Sequence, residues 1–248
     1  MYNIYPTLLD KFSDYLNADK NWETYYGDST KEDSPTIEEY EEKQRQSLID
    51  SINRVPFESE AADKGTAFNM IVDSLINKDK PQFDVIKVWD ESLKGKGSPT
   101  SLICCYKNHA FQFDMYRIKS FSDYFKGAIS QLRVEAEIDT RFGSVLLYGY
   151  IDELLPDKVC DIKTTKSYKA FKFRDHNQHL VYPYCLIMSG NYIHTFEYNV
   201  TDFKDNYTEV YVFDEERDIP ILRDRIERFI EFLEANRELI TDKKIYGD

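Results

Sequence analysis

The chain lacks any apolar run approaching the roughly 20 residues that a membrane-spanning helix needs. Its N-terminus also lacks the basic start and following apolar stretch that mark a secretory signal. These two absences argue against a membrane-inserted or exported protein. We therefore expect a cytoplasmic protein with no membrane partner.

Cysteine is scarce as well. The four cysteines, at positions 104, 105, 160 and 185, show neither CxxC spacing nor the framework of a disulfide-stabilised secreted domain. A zinc site built on cysteine is disfavoured for the same reason. Reduced thiols are the simpler interpretation.

Basic residues are fewer than acidic ones: the chain has 32 lysines and arginines and 45 aspartates and glutamates, which gives a net charge of −13. This balance argues at first against a polyanionic partner such as nucleic acid. The distribution is uneven, however. Glutamates crowd residues 38–42, whereas a local basic run contains Lys163, Lys166, Lys169, Lys172 and Arg174. The run is either a solvated face or a surface for a polyanion, and composition alone leaves both interpretations open.

At 248 residues the chain fits one medium-sized domain. We divide it into a peripheral N-terminal helical segment (1–54), a core (55–215) with an insertion near 77–116, and a C-terminal helix (216–248). Within the first segment, the sequence predicts a loop over 17–35. Thr36 and Glu39 then form a capping-box pattern that opens a helix to about Asn53.

For the core, the sequence predicts the element order helix, three strands, helix and strand. Apolar residues at helical spacing predict a helix over 60–76, with Asn69 and Asp73 on its polar face. Two short apolar segments around a loop at 94–99 suggest a hairpin, and a helix is expected over 120–132. Strands follow at 134–139, 145–151 and 158–164, then a helix at 175–188 and strands at 193–200 and 209–213.

Polar side chains stand at the ends of two adjacent strands. Asp152 closes one strand, and Asp161 and Lys163 lie on the next. Because side chains alternate along a strand, Asp161 and Lys163 project to the same side. Two carboxylates can hold Mg²⁺ or Mn²⁺, and a neighbouring ammonium group can stabilise negative charge in a transition state. The pattern favours a magnesium-dependent site that cuts phosphodiester bonds.

The following helix adds Gln178 and Tyr182, which are four residues apart and so share a face. They would hold the lysine or a phosphate by hydrogen bonds, or simply form a polar edge. His176 and His179 could be metal ligands, but without a third ligand at matching spacing we favour surface or core histidines.

Three motifs together, Gly149-x-x-Asp152, Asp161-x-Lys163-Thr164 and Gln178-x-x-x-Tyr182, resemble those of the PD-(D/E)XK nuclease superfamily, in its RecB-like and phage exonuclease branch. The resemblance covers about residues 55–215. It implies an α/β fold with a restriction-endonuclease-like core, in which a central mixed sheet is flanked by helices, here with extra N-terminal and C-terminal helices.

The resemblance further implies a metal-dependent DNA nuclease, expected to be an exonuclease of phage-type recombination or repair, in a bacterial or phage-infected cell. Asp152 and Asp161 would bind Mg²⁺ or Mn²⁺, and Lys163 would activate water and stabilise charge. Gln178 and Tyr182 would support the site. The basic side chains of the run after Lys163 would contact DNA: Lys166, Lys169, Lys172 and Arg174.

The sequence also departs from this family. Members of the branch often carry a histidine four residues after the helix glycine, where this chain has Asn69 after Gly65. An amide oxygen can bind a hard cation but brings no charge, and Asp73, one turn further on, could compensate. The strand face with Glu135, Glu137 and Asp139 is either a source of one more ligand or a solvated face, and the solvated face is favoured. The cysteine positions do not fit the iron–sulfur members, so we expect no such cluster.

Two other functions compete with the nuclease. The chain could be a binding module for DNA or protein that keeps the fold but has lost efficient catalysis, as Asn69 and the negative charge would suggest. Alternatively, the acidic N-terminal segment could occupy the groove or mimic DNA. Partners other than DNA and the oligomeric state are left open by the sequence.

Overall fold

The computed structural model describes residues 1–28, 33–89 and 99–247. Within them the strands are β1 (Tyr2–Ile4), β2 (Val85–Val88), β3 (Ser101–Tyr106), β4 (His109–Asp114), β5 (Ile129–Thr140), β6 (Gly143–Leu155), β7 (Lys158–Thr164), β8 (Thr195–Thr201) and β9 (Asn206–Val212). The α-helices are α1 (Pro6–Leu16), α2 (Ala18–Tyr26), α3 (Ile37–Ile52), α4 (Glu60–Asn77), α5 (Met115–Tyr124), α6 (Gln178–Met188) and α7 (Glu215–Ala235). None of these helices combines the length and apolar character needed to cross a membrane.

The main sheet is mixed. Its strand order is β1-β6-β7-β8-β9, and β5 pairs with β6. Neighbours run antiparallel except for the parallel pairs β1 with β6 and β7 with β8. Helices pack against this sheet, so the predicted α/β class with a central mixed sheet flanked by helices is confirmed. The helices expected at both ends of the chain are present too.

Strands β6 and β7 separate where the site lies. Their backbone pairing covers Leu155 with Lys158 to Glu153 with Cys160. At the next position the Asp152 side chain, rather than the β6 backbone, accepts the Ile162 N–H, at 2.9 Å. A polar side chain thus takes over a hydrogen bond that a continuous ladder would have used, which opens a gap between the two strands.

The insertion forms a second, three-stranded antiparallel sheet with the order β2-β3-β4. Val88 pairs with Ser101 across the predicted hairpin loop, so the hairpin is confirmed for β2 and β3. Residues 94–98 of the predicted loop lie outside the described residues. Strand β4 was not predicted, because its alternation His109-Ala-Phe-Gln-Phe113 is short.

Two buried clusters lie on opposite sides of β7. Val159 belongs to the larger cluster, with residues of α1, α6 and α7, whereas Cys160 and Ile162 belong to the smaller one, with α4, α5 and the small sheet. Leu8 and Phe12 of α1 are buried in the larger cluster, and the ring of Phe12 lies 5.3 Å from that of Phe229. The segment 1–54 is therefore peripheral in sequence but packed into the main core.

Five secondary-structure predictions need correction. Asp152 was expected to close its strand, but it lies inside β6, which continues to Leu155. The C-terminal helix, expected over 216–248, ends at Ala235. Residues 17–35 were expected to form a loop, but α2 spans Ala18–Tyr26, and the Trp22 indole in it donates to Pro35 O at 2.8 Å. The helix expected over 120–132 ends at Tyr124, because the chain turns at Gly127 with φ of 86° and enters β5. The helix expected from 175 begins at Gln178.

Candidate active site

Asp161 and Lys163 lie on the same side of β7, as their spacing predicts. The Lys163 ammonium nitrogen is 2.8 Å from Asp161 Oδ2, and only 2 % of Asp161 is exposed. Burial alone would lower the pKa of Lys163, but the charge of Asp161 and its hydrogen bond outweigh that effect and raise it. Lys163 is therefore a charged ammonium group with a fixed partner.

Gln178 bridges the ion pair of Asp161 and Lys163. Its side-chain oxygen accepts from Lys163 Nζ at 2.6 Å, and its amide nitrogen donates to Asp161 Oδ1. Tyr182, one turn further along α6, contacts Gln178 through its hydroxyl, and burial together with the charge of Asp161 raises the pKa of that hydroxyl. The structure thus brings together the residues that the second and third motifs singled out.

The aromatic ring of Tyr182 rests directly on Gly149. A Cβ at position 149 would lie 2.5 Å from a ring carbon of Tyr182, which no side chain tolerates. Glycine is therefore needed here for a close approach between strand and helix. Through this contact Gly149 sets how deep Tyr182 and its neighbour Gln178 sit over β7.

Asp152 lies at the gap between β6 and β7. Its Oδ2 accepts the Ile162 N–H, and burial, followed by repulsion from Asp161, raises the pKa of this carboxyl to about 7. Lys163 acts in the opposite direction but does not cancel the shift. Asp152 is thus electrostatically coupled to Asp161 and Lys163, and the first two motifs meet in one site.

Helix α4 supplies the other wall of the site. Asn69 and Asp73 line a cleft of about 470 Å³ together with Asp152 and Gln131. Gln131 donates to Asp73 Oδ2 at 3.1 Å. Asn69 Oδ1 and Asp73 Oδ1 are buried and have no hydrogen-bond partner in the described part of the chain. The two α4 residues chosen from sequence therefore do face Asp152.

Glu153 joins this cluster, although the sequence analysis did not select it. It is fully buried, accepts from Ser130 at 2.8 Å and contacts the Asp73 carboxyl. Burial and the Asp73 carboxyl raise its pKa to about 8, although the Ser130 hydrogen bond acts in the opposite direction. Its Oε1, like Asp73 Oδ1, has no partner among the described residues. The available signal was an acidic residue directly after Asp152 that is followed by two apolar residues of the same strand, Leu154 and Leu155.

Oxygen atoms without donors in a buried acidic cluster fit a hard cation. Asp152, Asp161, Asp73 and Asn69 provide carboxylate and amide oxygens, the ligand types that Mg²⁺ and Mn²⁺ prefer. Across residues 1–28, 33–89 and 99–247, however, no three histidine, cysteine, aspartate or glutamate side chains are already arranged as a metal-binding group. Asp161 in particular is engaged with Lys163 and Gln178.

The acidic face of β5 is not part of the site. Glu135 pairs with Arg133 at 2.5 Å, Glu137 accepts from Ser144 at 2.6 Å, and Asp139 is exposed. The solvated-face interpretation therefore describes these three carboxylates.

The two histidines have protein partners. His176 Nδ1 is 3.4 Å from Asp10 Oδ2, and His179 stacks on Tyr211 with ring centroids 4.4 Å apart. Burial and the nearby Arg225 lower the pKa of His179 to about 4, so its ring is neutral at pH 7. The expectation of core or surface histidines agrees with these contacts.

The basic run lies on the exposed connection between β7 and α6. Lys166, Lys169, Lys172 and Arg174 are all exposed. Lys172 turns back onto its own loop and donates to Ser167 O at 3.1 Å, whereas Arg174 lines a separate groove beside Tyr211. These four basic residues therefore lie just after the catalytic candidate Lys163 in the chain and are exposed to solvent.

No family model and no curated protein matches the sequence. Among solved structures, one described as "Crystal structure of SSO0001" is similar with a TM-score of 0.44 and 13 % identity. The match covers 92 % of this chain and 76 % of that one.

Proposed function

We propose that the protein is a metal-dependent DNA nuclease that hydrolyses phosphodiester bonds. One observation carries the proposal: Asp152, Asp161 and Lys163, chosen from the sequence by their spacing, interact at the gap between β6 and β7. The gap adjoins a cleft whose walls carry further oxygen ligands. This is the combination of anionic ligands and a fixed cation that phosphodiester hydrolysis uses.

Lys163 has the clearest chemical role. Its ammonium group is held by Asp161 and Gln178, so it costs little reorganisation to present positive charge to a phosphate oxygen that gains negative charge during hydrolysis. Gln178 and Tyr182 fix the lysine from the α6 side. Asp152, whose pKa is raised to about 7 by burial and by Asp161, would bind the cation as a carboxylate, so cation binding below that pH would release its proton.

The oxygens of Asp152, Asp161, Asp73 and Asn69 would hold the cation. A bound Mg²⁺ or Mn²⁺ would supply Lewis-acid polarisation of the phosphate and lower the pKa of a bound water. The exposed lysines and Arg174 of the following connection would offset the acidic charge of the chain by contacting the DNA backbone.

Incubation of the protein with linear and covalently closed circular DNA, in Mg²⁺ and then in Mn²⁺, tests the proposal. Loss of linear but not circular DNA would assign exonuclease action. Lys163→Ala and Asp161→Asn should each reduce the cutting rate by about 10²-fold or more. Asp157→Asn, in the exposed turn between β6 and β7, is the matched control and should cut at the wild-type rate. Equal rates for wild type and Asp161→Asn would refute the proposal.

A second candidate function is a DNA-binding or protein-binding module with a weakened catalytic site. It is favoured by the occupied oxygens of Asp161 and by Asn69 in the place of a histidine. Calorimetry separates the two functions. A nuclease should take up Mn²⁺ in a manner that Asp152→Asn abolishes, whereas a weakened site should bind DNA without measurable metal uptake.

A further inference from the structure

Asn177 is the junction of three elements that are far apart in sequence. It is completely buried, and both its backbone N–H and its side-chain amide donate to Asp10 Oδ1, at 2.6 and 2.8 Å. Its side-chain oxygen accepts from Arg225 Nη1 at 2.8 Å. Helices α1 and α7 thus both bind the residue that directly precedes α6.

This junction is one residue from the candidate active site. Asn177 is the N-cap of α6, and its carbonyl accepts from the backbone of Leu180 and Val181. The next residue, Gln178, bridges Asp161 and Lys163. A displacement of Asn177 would therefore move Gln178, and with it the hydrogen bond that holds the lysine.

Asp10 also acts through its charge. A carboxylate at a helix N-terminus interacts favourably with the unpaired N–H groups there. Burial raises the pKa of Asp10, whereas His176, at 3.4 Å, the Asn177 hydrogen bonds and Lys163 lower it. Asp10 in turn helps to raise the pKa values of Lys163 and Asp14. Asp10 is thus linked to the catalytic candidate both by bonds through Asn177 and by charge across space.

We propose that Asp10, Asn177 and Arg225 form one positioning unit that fixes the first turn of α6 and, through Gln178, holds Lys163 against Asp161. The inference deepens the proposed function, since Lys163 is the group on which that function depends. In this unit α1 and α7 support the site, although the sequence analysis placed both helices outside the core segment 55–215.

Chemical labelling of lysine tests the unit without relying on activity. The protein is treated with limiting acetylating reagent, and mass spectrometry measures the ratio of acetylation at Lys163 to that at Lys158. The two side chains are similarly buried, at 24 and 20 % exposure, but Lys158 is held by Glu197 and Tyr124. Unfolding would raise labelling of both, so their ratio reports the local contact.

Asp10→Asn and Asn177→Ala should each raise this ratio by about threefold or more, because the lysine is released from its fixed position and the nearby charge is removed or displaced. Arg225→Gln should raise it less. Asp14→Asn, one turn along α1, is the matched control and should leave it unchanged. Because the residues act as a unit, the double variant Asp10→Asn/Asn177→Ala should match the stronger single variant.

An unchanged ratio in either Asp10→Asn or Asn177→Ala would overturn the inference, as would effects that multiply in the double variant. In the cutting assay, both variants should lower kcat by about tenfold with KM within about twofold, since the lysine rather than the DNA surface is disturbed. A wild-type protein that cuts no DNA would refute the proposed function, yet the labelling ratio would still decide this inference.

Discussion

The two sides of the candidate site differ in how well their charges are matched. On the α6 side, made of Asp161, Lys163, Gln178 and Tyr182, the carboxylate meets an ammonium group and an amide. On the α4 side, made of Asn69, Asp73, Asp152 and Glu153, three carboxyl groups are crowded. One buried oxygen in each of Asn69, Asp73 and Glu153 has no donor among the described residues, whereas Asp161 Oδ2 on the α6 side has the Lys163 ammonium group at 2.8 Å. One side is electrostatically satisfied, and the other has an excess of negative charge.

Because of this difference, the α6 side and the α4 side are suited to different functions. A satisfied network holds its members in one geometry, which suits the placement of a catalytic lysine. Burial raises the pKa values of Asp73, Asp152 and Glu153, and neighbouring carboxyl groups add to the effect at Asp152 and Glu153. The α4 side therefore has the most to gain from a bound cation, and it is the side that adjoins the open cleft.

The largest expected effect is a loss of stability with rising pH on the α4 side. The pKa values of Asp152 and Glu153 are raised to about 7 and about 8, from 3.8 and 4.5. At a pH between the unfolded-chain pKa and the folded-state pKa of each group, the folded state binds more protons than the unfolded chain. The free energy of unfolding therefore falls as pH rises through this range. We expect a decrease on the order of a few kcal/mol from pH 5 to pH 8 without metal, measured by urea denaturation.

The matched variants for this prediction are Asp152→Asn and Glu153→Gln, which should flatten the pH dependence. At pH 8, Mg²⁺ or Mn²⁺ at 100 times its dissociation constant should restore about 2.7 kcal/mol to the wild type. Asp152→Asn should show no such gain. Wild-type stability that rises steadily from pH 5 to pH 8 would contradict the assignment of excess charge to the α4 side.

The sequence predicted the α6 side better than the α4 side, for a physical reason. Asp161 and Lys163 are two apart on a strand, and Gln178 and Tyr182 are four apart on a helix, so local periodicity already places each pair on one face. The contact between Glu153 and Asp73 joins positions 80 residues apart. No local pattern encodes such a contact.

The same limit explains what else was missed. Asp10 lies in a helix that the sequence placed outside the core, and its link to Asn177 exists only after α1, α6 and α7 have packed together. The boundary errors have a different origin. The helix expected over 120–132 was extended across Gly127, although the positive φ of this glycine marks the change from α5 to β5.

On the α6 side, Gly149→Ala should produce the next largest effect. The added methyl group would meet the ring of Tyr182 at 2.5 Å, and both residues are buried. We expect a loss of about 1–3 kcal/mol in the free energy of unfolding, measured by urea denaturation. In a Tyr182→Leu background the same substitution should cost less, because the ring is gone. An equal cost in both backgrounds would show that the ring contact is not the cause.

The smallest effect is expected at the corresponding glycine of the α4 side. A Cβ at Gly65 would lie 2.6 Å from Thr164 Oγ1, but this hydroxyl can rotate away, unlike an aromatic ring. Alanine also favours the interior of α4 by about 1 kcal/mol over glycine, which offsets the contact. Gly65→Ala should therefore change the free energy of unfolding by less than about 1 kcal/mol in urea denaturation. A loss as large as that of Gly149→Ala would mean that α4 is packed against β7 as rigidly as α6 is.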